Sequence, residues 1–222
     1  MQCSHCQYCE SCATIQLVKR PFHHGDLRNA LITEAKKLVE RKGIEAFALR
    51  EAARIVGVSA NAAYNHFEDK DALLRAVASS GFAELAAQRE EARSKASPDA
   101  WSQLTAGAKV YVQFAEARPK LFDLMFGPLG VGSKQGKTDE TEPSGRKTYK
   151  QLSEALDNLV LSGKLTPQRR AGAESTLWPL IHGLAVLRRA GALREPFDVS
   201  WERMLTFTAN GLGINVDEKR SK

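Results

Sequence analysis

The sequence predicts an all-α chain, a small N-terminal three-helix helix-turn-helix unit followed by a larger helical domain. Three observations carry this. Apolar residues recur at three- and four-residue spacing along most of the 222 residues, with scarcely any strand alternation. Gly57-Val58-Ser59 separates two short amphipathic stretches by the length of a tight turn. Glycines and prolines then punctuate the chain about a helix length apart, at Gly43, Pro98, Pro119, Gly163 and Gly191.

The first helix starts within His23-His24-Gly25-Asp26-Leu27-Arg28 and runs to about Lys42, with Leu27, Leu31, Ala35, Leu38 and Val39 as its apolar stripe. The second covers Leu49 to Val56, where Leu49, Ala52, Ala53 and Val56 share a face. Gly57 supplies the left-handed backbone of an abrupt helix end, Val58 fills the gap between helices, and the Ser59 hydroxyl caps the third helix. That helix, Ala60 to Phe67, is short and rich in Asn and small residues. A fourth runs from an Asp69 cap, with Lys70 in its first turn, to Ala96. Its Leu73, Leu74, Val77, Phe82 and Leu85 face inward, and its far end, Gln88 to Lys95, reads as a solvated charge run. Pro98 opens a fifth helix carrying Trp101, Leu104, Ala108, Tyr111 and Phe114 to about Ala117. Arg118-Pro119 ends it, a short amphipathic piece from Leu121 to Phe126 follows, and Gly127 to Gly145 is a loop. Further helices span about Gly145 to Ser162, Pro167 to Ala190 and Phe197 to Leu212. Pro179 inside the second of these predicts a kink or a later start.

A glycine between two amphipathic stretches also describes a plain structural hairpin. The flanks favour DNA, with the His23-to-Lys42 helix stopped at Gly43 before the pair and the Asp69 cap and Lys70 opening a fourth helix after it, and Tyr64, Asn65 and His66 can hydrogen-bond phosphates or base edges from a helix lying in the major groove. On this reading Tyr64, His66 and Lys70 hold phosphates, Asn61 and Arg50 face base edges, and Ser59, Ala60 and Asn65 complete the docking surface.

From about Pro21 to Leu74 the chain resembles the DNA-binding domain of the TetR/AcrR family of bacterial transcriptional regulators. The resemblance rests on the His23-to-Arg28 opening, the Gly57-Val58-Ser59 turn, Tyr64-x-His66-Phe67 and Asp69-Lys70. Two residues depart from the family pattern. Ala48 stands where a Ser or Thr usually caps the second helix, a loss of roughly 1 kcal/mol, and Ala63 replaces a larger apolar residue. Further on, Trp178 followed by His182-Gly183 is similar to the Trp-His-Gly signature of one C-terminal subfamily, and Arg118-Pro119 with Leu121, Met125 and Phe126 fits it too.

The resemblance implies a homodimeric repressor on a palindromic double-stranded DNA operator, with a C-terminal helical ligand-binding and dimerisation domain. The expected organisation is a disordered tail over 1–20, the DNA-binding domain over 21–74, the effector-binding and dimerisation domain over 75–214, and a disordered tail over 215–222. Phe82, Tyr111, Phe114, Phe122, Met125, Phe126, Trp178 and Ile181 fall on inward stripes of different helices, which suits a plain core or the wall of a pocket. The resemblance implies the pocket. Few charges fall on these stripes, so the expected effector is small and largely apolar, aromatic or acyl, with His182 and Tyr111 as polar contacts. Leu177, Leu184, Leu187, Leu205 and Leu212 are expected to supply a four-helix dimer interface.

Composition agrees. The formal net charge of +6 suits a polyanionic partner, and 43% hydrophobic residues suffice for one good-sized core with a small satellite. No apolar stretch approaches the roughly 20 residues that span a bilayer, and a signal-peptide core is missing, so no membrane association and a cytoplasmic location are expected. Cys3, Cys6, Cys9 and Cys12 form a C-x2-C-x2-C-x2-C run. Its last gap is too short for the ferredoxin cluster pattern, and zinc sites of four thiolates usually join two separated pairs. An inert tail is the plainer reading and a metal or redox sensor the other; no cofactor is expected. Gly136-Lys137-Thr138 looks like the end of a phosphate-binding loop, but Val131 stands where the motif needs glycine and no strand precedes it. The histidines, His5, His23, His24, His66 and His182, form no recognised nucleophile or metal pattern. A small-molecule-binding helical enzyme and a dimeric adaptor without specific DNA binding are the competing classes.

Overall fold

The computed structural model describes residues 27–130 and 142–216, and among them the chain is helical with no strand. The cysteine run, the start of the His23-to-Arg28 opening and the Gly136-Lys137-Thr138 segment lie outside the described residues.

The head is α1 (Leu27–Lys42), α2 (Leu49–Val56) and α3 (Ala60–Tyr64), packed with the start of the long α4 (Lys70–Lys95). Its local geometry follows from three caps. Gly57 closes α2 at φ 87°, a left-handed conformation that costs a side-chain-bearing residue about 1–2 kcal/mol. The Ser59 hydroxyl accepts from the Ala62 amide at 3.1 Å, and the Asp69 carboxylate from the Ala72 amide at 2.6 Å. Ala48 precedes α2 with extended backbone and no side-chain cap. α3 is shorter than the sequence suggests: the chain turns at Asn65 and His66, and this turn drives Phe67 into the core, where it is 3% exposed. Ala63 is fully buried, so the small residue sits at the closest approach of α3 to its supports.

The body is α5 (Ala100–Ala117), α6 (Pro119–Phe126), α7 (Glu142–Leu161), α8 (Pro167–Arg170), α9 (Ala173–Arg189) and α10 (Phe197–Leu212). α4 runs through its middle, flanked by α5, α6 and α7; α9 packs on α5, and α10 on α9. The buried apolar residues form one continuous cluster from α1 to Ile214. Head and body are also joined by charge: Arg118 pairs with both Glu40 of α1 and Glu84 of α4, Lys36 meets Glu84 at 3.1 Å, and the Lys120 ammonium donates to the Arg41 carbonyl.

Several expectations need correction. α5 begins at Ala100 under an Asp99 cap, so Pro98 precedes the cap. The helix expected over Pro167 to Ala190 is broken, because Gly172 takes φ 73° and separates α8 from α9. α9 begins later than drawn yet still contains Pro179. The Gln88-to-Lys95 run is not wholly solvated, since Arg89 is 7% exposed. Leu177, Leu184 and Leu212 are buried within the protomer, and Trp178, Leu187, Val199 and Phe207 are the exposed large apolar side chains of the last two helices. Gly183 meets nothing within 4 Å of where a Cβ would stand, so among the described residues no other helix approaches it closely. At the end of the described residues the Asn215 amide donates to the Lys164 carbonyl at 3.1 Å.

Candidate DNA-reading face and ligand cavity

The outward surface of the head is polar and cationic. Arg50, Ser59, Asn61, Tyr64, Asn65 and His66 are exposed, and Ala60 and Lys70 are partly so. These positions come from the start of α2, the body of α3, the turn after it and the first residue of α4. The burial of Ala53, Ala63 and Phe67 beneath them fixes that presentation. Charge is distributed unevenly. Glu51 takes up Lys42 at 2.6 Å and Arg41 at 3.6 Å, and the Lys42 hydrogen bond holds the Glu51 carboxyl below its usual range. Arg50, Arg54 and Lys70 meet no carboxylate among the described residues and remain available to an anion. Arg54, one turn after Arg50 on the same short helix, was not singled out from the sequence; its signal was the four-residue spacing of two exposed arginines.

The body holds a cavity of about 260 Å³ between α4, α5, α6, α7 and α9. Phe82, Tyr111, Phe126, Trp178 and Ile181 line it, together with Arg89, Arg146, Thr148, Tyr149 and Leu152, which sequence reasoning did not select. Phe114, Phe122 and Met125 belong to the packed core instead. His182 stands behind the wall, its Nδ1 2.8 Å from the Tyr111 hydroxyl and its ring stacked 5.5 Å from Phe122. Burial, with Arg189 nearby, lowers the imidazole below its ordinary value, so it is neutral at pH 7. Burial pushes the Tyr111 phenol up against the opposing effects of Trp178 and Arg89, so the phenol keeps its proton. The neutral pair therefore matches one donor to one acceptor across the gap between α5 and α9. Tyr149 and Trp178, their rings 6.2 Å apart edge to face, stand at the solvent side and mark the mouth.

A helix-turn-helix head joined through one helix to a cavity-bearing helical body defines a DNA-binding transcriptional regulator. The chain belongs to the tetR family of bacterial regulatory proteins: residues 31–77 match that family's model, and residues 104–208 match the tetracyclin repressor-like C-terminal domain. A solved protein of unknown function from Rhodococcus sp. RHA1 is 31% identical, with a TM-score of 0.76, the match covering 87% of this chain and 98% of that one. The TetR family regulator PfmR from Thermus thermophilus shares the fold at 20% identity and a TM-score of 0.58, covering 84% of this chain and 98% of its own. RolR, solved with resorcinol, shares it at 17% identity and a TM-score of 0.62, covering 89% and 95%. No curated protein sequence matches the chain. Among the described residues no helix is long and apolar enough to cross a membrane.

Proposed function

We propose that the chain is a ligand-responsive repressor that binds a palindromic operator as a homodimer in the cytoplasm, without catalytic activity. The observation that carries this reading is that α4 starts at the DNA-reading face with Lys70 and passes along the cavity with Phe82 and Arg89. A ligand that prefers one setting of that helix changes the spacing of the two recognition helices, by no more than its differential affinity for the two settings. The division of labour falls near residue 74, with DNA binding before it and effector binding and dimerisation from 75 to about 214.

On this reading Tyr64, His66 and Lys70 hold phosphates, Asn61 and Arg50 face base edges, and Ser59, Ala60 and Asn65 line the contact. The partner protomer covers Leu187, Val199 and Phe207, whose apolar side chains α9 and α10 leave exposed, and approaches over the open space at Gly183. The proximity of the Trp178 and His182 rings, 6.5 Å apart on α9, supports placing the body in the Trp-His-Gly subfamily. RolR's resorcinol is a precedent for a small aromatic ligand in this fold.

Selection from a random duplex library by the full chain tests the reading. Enrichment of an inverted repeat with half-sites about one helical turn apart is expected. Recovery of sequences no different from the input pool would overturn it.

A further inference from the structure

We infer that the cavity takes a small organic carboxylate with an aromatic or medium-chain apolar body, its carboxylate held by Arg89. The inference rests on the effector-pocket reading above and sharpens it, because a neutral apolar ligand would leave the most unusual group in the cavity unused.

Arg89 lines the cavity amid Phe82, Tyr111, Phe126, Leu152 and Ile181 and is 7% exposed. Burial pulls the guanidinium down to about 10, which still leaves it charged at neutral pH. Its Nη1 donates to the Thr148 carbonyl at 3.1 Å, while Nε is buried with no hydrogen-bond partner. The α5 residue beside Nε is Gly107, which has no side chain to accept that bond. No carboxylate lies within ion-pair distance of Arg89 among the described residues, and the nearest along the helix, Glu90, is taken up by Arg93 at 3.1 Å. Four other arginines of the body pair their charge with carboxylates. Arg118 meets Glu40 and Glu84, Arg170 meets Asp157 and Glu174, Arg188 meets Glu116, and Arg189 meets Asp123. Arg89 is more deeply buried than any of these and, among them, is the one left without an anion.

A buried charge is tolerated when it is paired and hydrogen-bonded, and its cost is otherwise large. The arrangement therefore fits a group whose counter-ion arrives with the ligand. A guanidinium presents a planar fork that matches the two oxygens of a carboxylate. Apart from Arg146 and Thr148 the remaining wall is apolar and aromatic, which suits the body of such an acid, and about 260 Å³ lies just below the usual range for drug-sized ligands, so the acid is small.

The test is isothermal titration of the full chain with phenylacetate and octanoate, each against its uncharged amide, phenylacetamide and octanamide. At least one acid is expected to bind ten-fold or more tightly than its amide. Arg89→Met should abolish that preference, and Arg89→Lys, which keeps the charge without the fork, should reduce it several-fold. Equal affinity for acid and amide in the parent chain overturns the inference. So does an acid preference that survives both substitutions, or no binding of either set at millimolar concentration. A chain that prefers acids yet enriches no inverted repeat would keep this inference and refute the regulatory reading, and the reverse result would refute this inference alone.

Discussion

Ala48 and Gly57, at the two ends of α2, show how single residues set the stability of the head. Ala48 has the extended backbone of a capping position, but its side chain accepts no hydrogen bond. Ala48→Ser should therefore stabilise the protein by about 1 kcal/mol, read as a higher denaturation midpoint with an unchanged slope. Gly57→Ala should act in the opposite sense, by about 1–2 kcal/mol, since its φ of 87° penalises any Cβ although the space around it is open. Both positions were legible in the sequence because caps and turns are local. Arg89 was not. It sits seven residues after Phe82 and four after Leu85, on the inward stripe, but its charge and its acidic neighbours Glu90 and Glu91 gave the segment the look of a solvated face. The spacing was the better guide, because a helix buries a face regardless of which residues occupy it.

At the scale of elements, α3 and the first turn of α4 carry the expected readout. Lys70→Ala should weaken binding to every duplex and lower the slope of log K against log salt by about one unit, whereas Asn61→Ala should relax preference at one position per half-site. Filter binding across a salt series separates the two, and an unchanged slope in Lys70→Ala would remove that residue from the phosphate contacts. Between head and body, Arg118→Ala would strand the part-buried carboxylate of Glu40 and leave Glu84 to Lys36 alone, with an expected loss of roughly 1–3 kcal/mol in urea denaturation. α8 and α9 respond to acid. Burial pushes the Glu174 carboxyl up, but hydrogen bonds from Arg170 at 2.9 Å and Ser153 at 2.6 Å prevail and hold it at about 2. A folded value below the unfolded one means that this contribution is complete above about pH 4.5 and is lost as the pH falls toward 2. Stability measured across that window should fall less steeply in Glu174→Gln than in the parent. The helices themselves were largely readable from periodicity and stops. The break at Gly172 was not, since the polar run around it continues a helical pattern on both sides. The wall of the cavity was readable only in part, because a stripe marks which residues face inward and leaves open whether they pack into the core, as Phe114, Phe122 and Met125 do, or face an unfilled space.

For the whole molecule, the exposed side chains of Leu187, Val199 and Phe207 mark the face where a second protomer is expected, and Phe207, at 65% exposed, is the most prominent of them. Phe207→Glu should give a monomer at micromolar concentration in sedimentation and abolish tight binding to an inverted repeat, because a single head cannot engage two half-sites. A dimeric Phe207→Glu protein would move the interface elsewhere. Lastly, α4 runs unbroken from Lys70 to Lys95, with no proline to absorb a bend. The stretch from Arg89 to Lys70 is an arm of about 28 Å at 1.5 Å per residue, so a swing of about 5° pivoting at the cavity carries its far end about 2.5 Å. Two such arms swinging apart add about 5 Å to a separation that must match one repeat of the double helix, about 34 Å. On the proposed reading the stiffness of a single helix would act as gearing, turning a displacement smaller than an atom's diameter at the cavity into a mismatch that the operator would register in both half-sites at once.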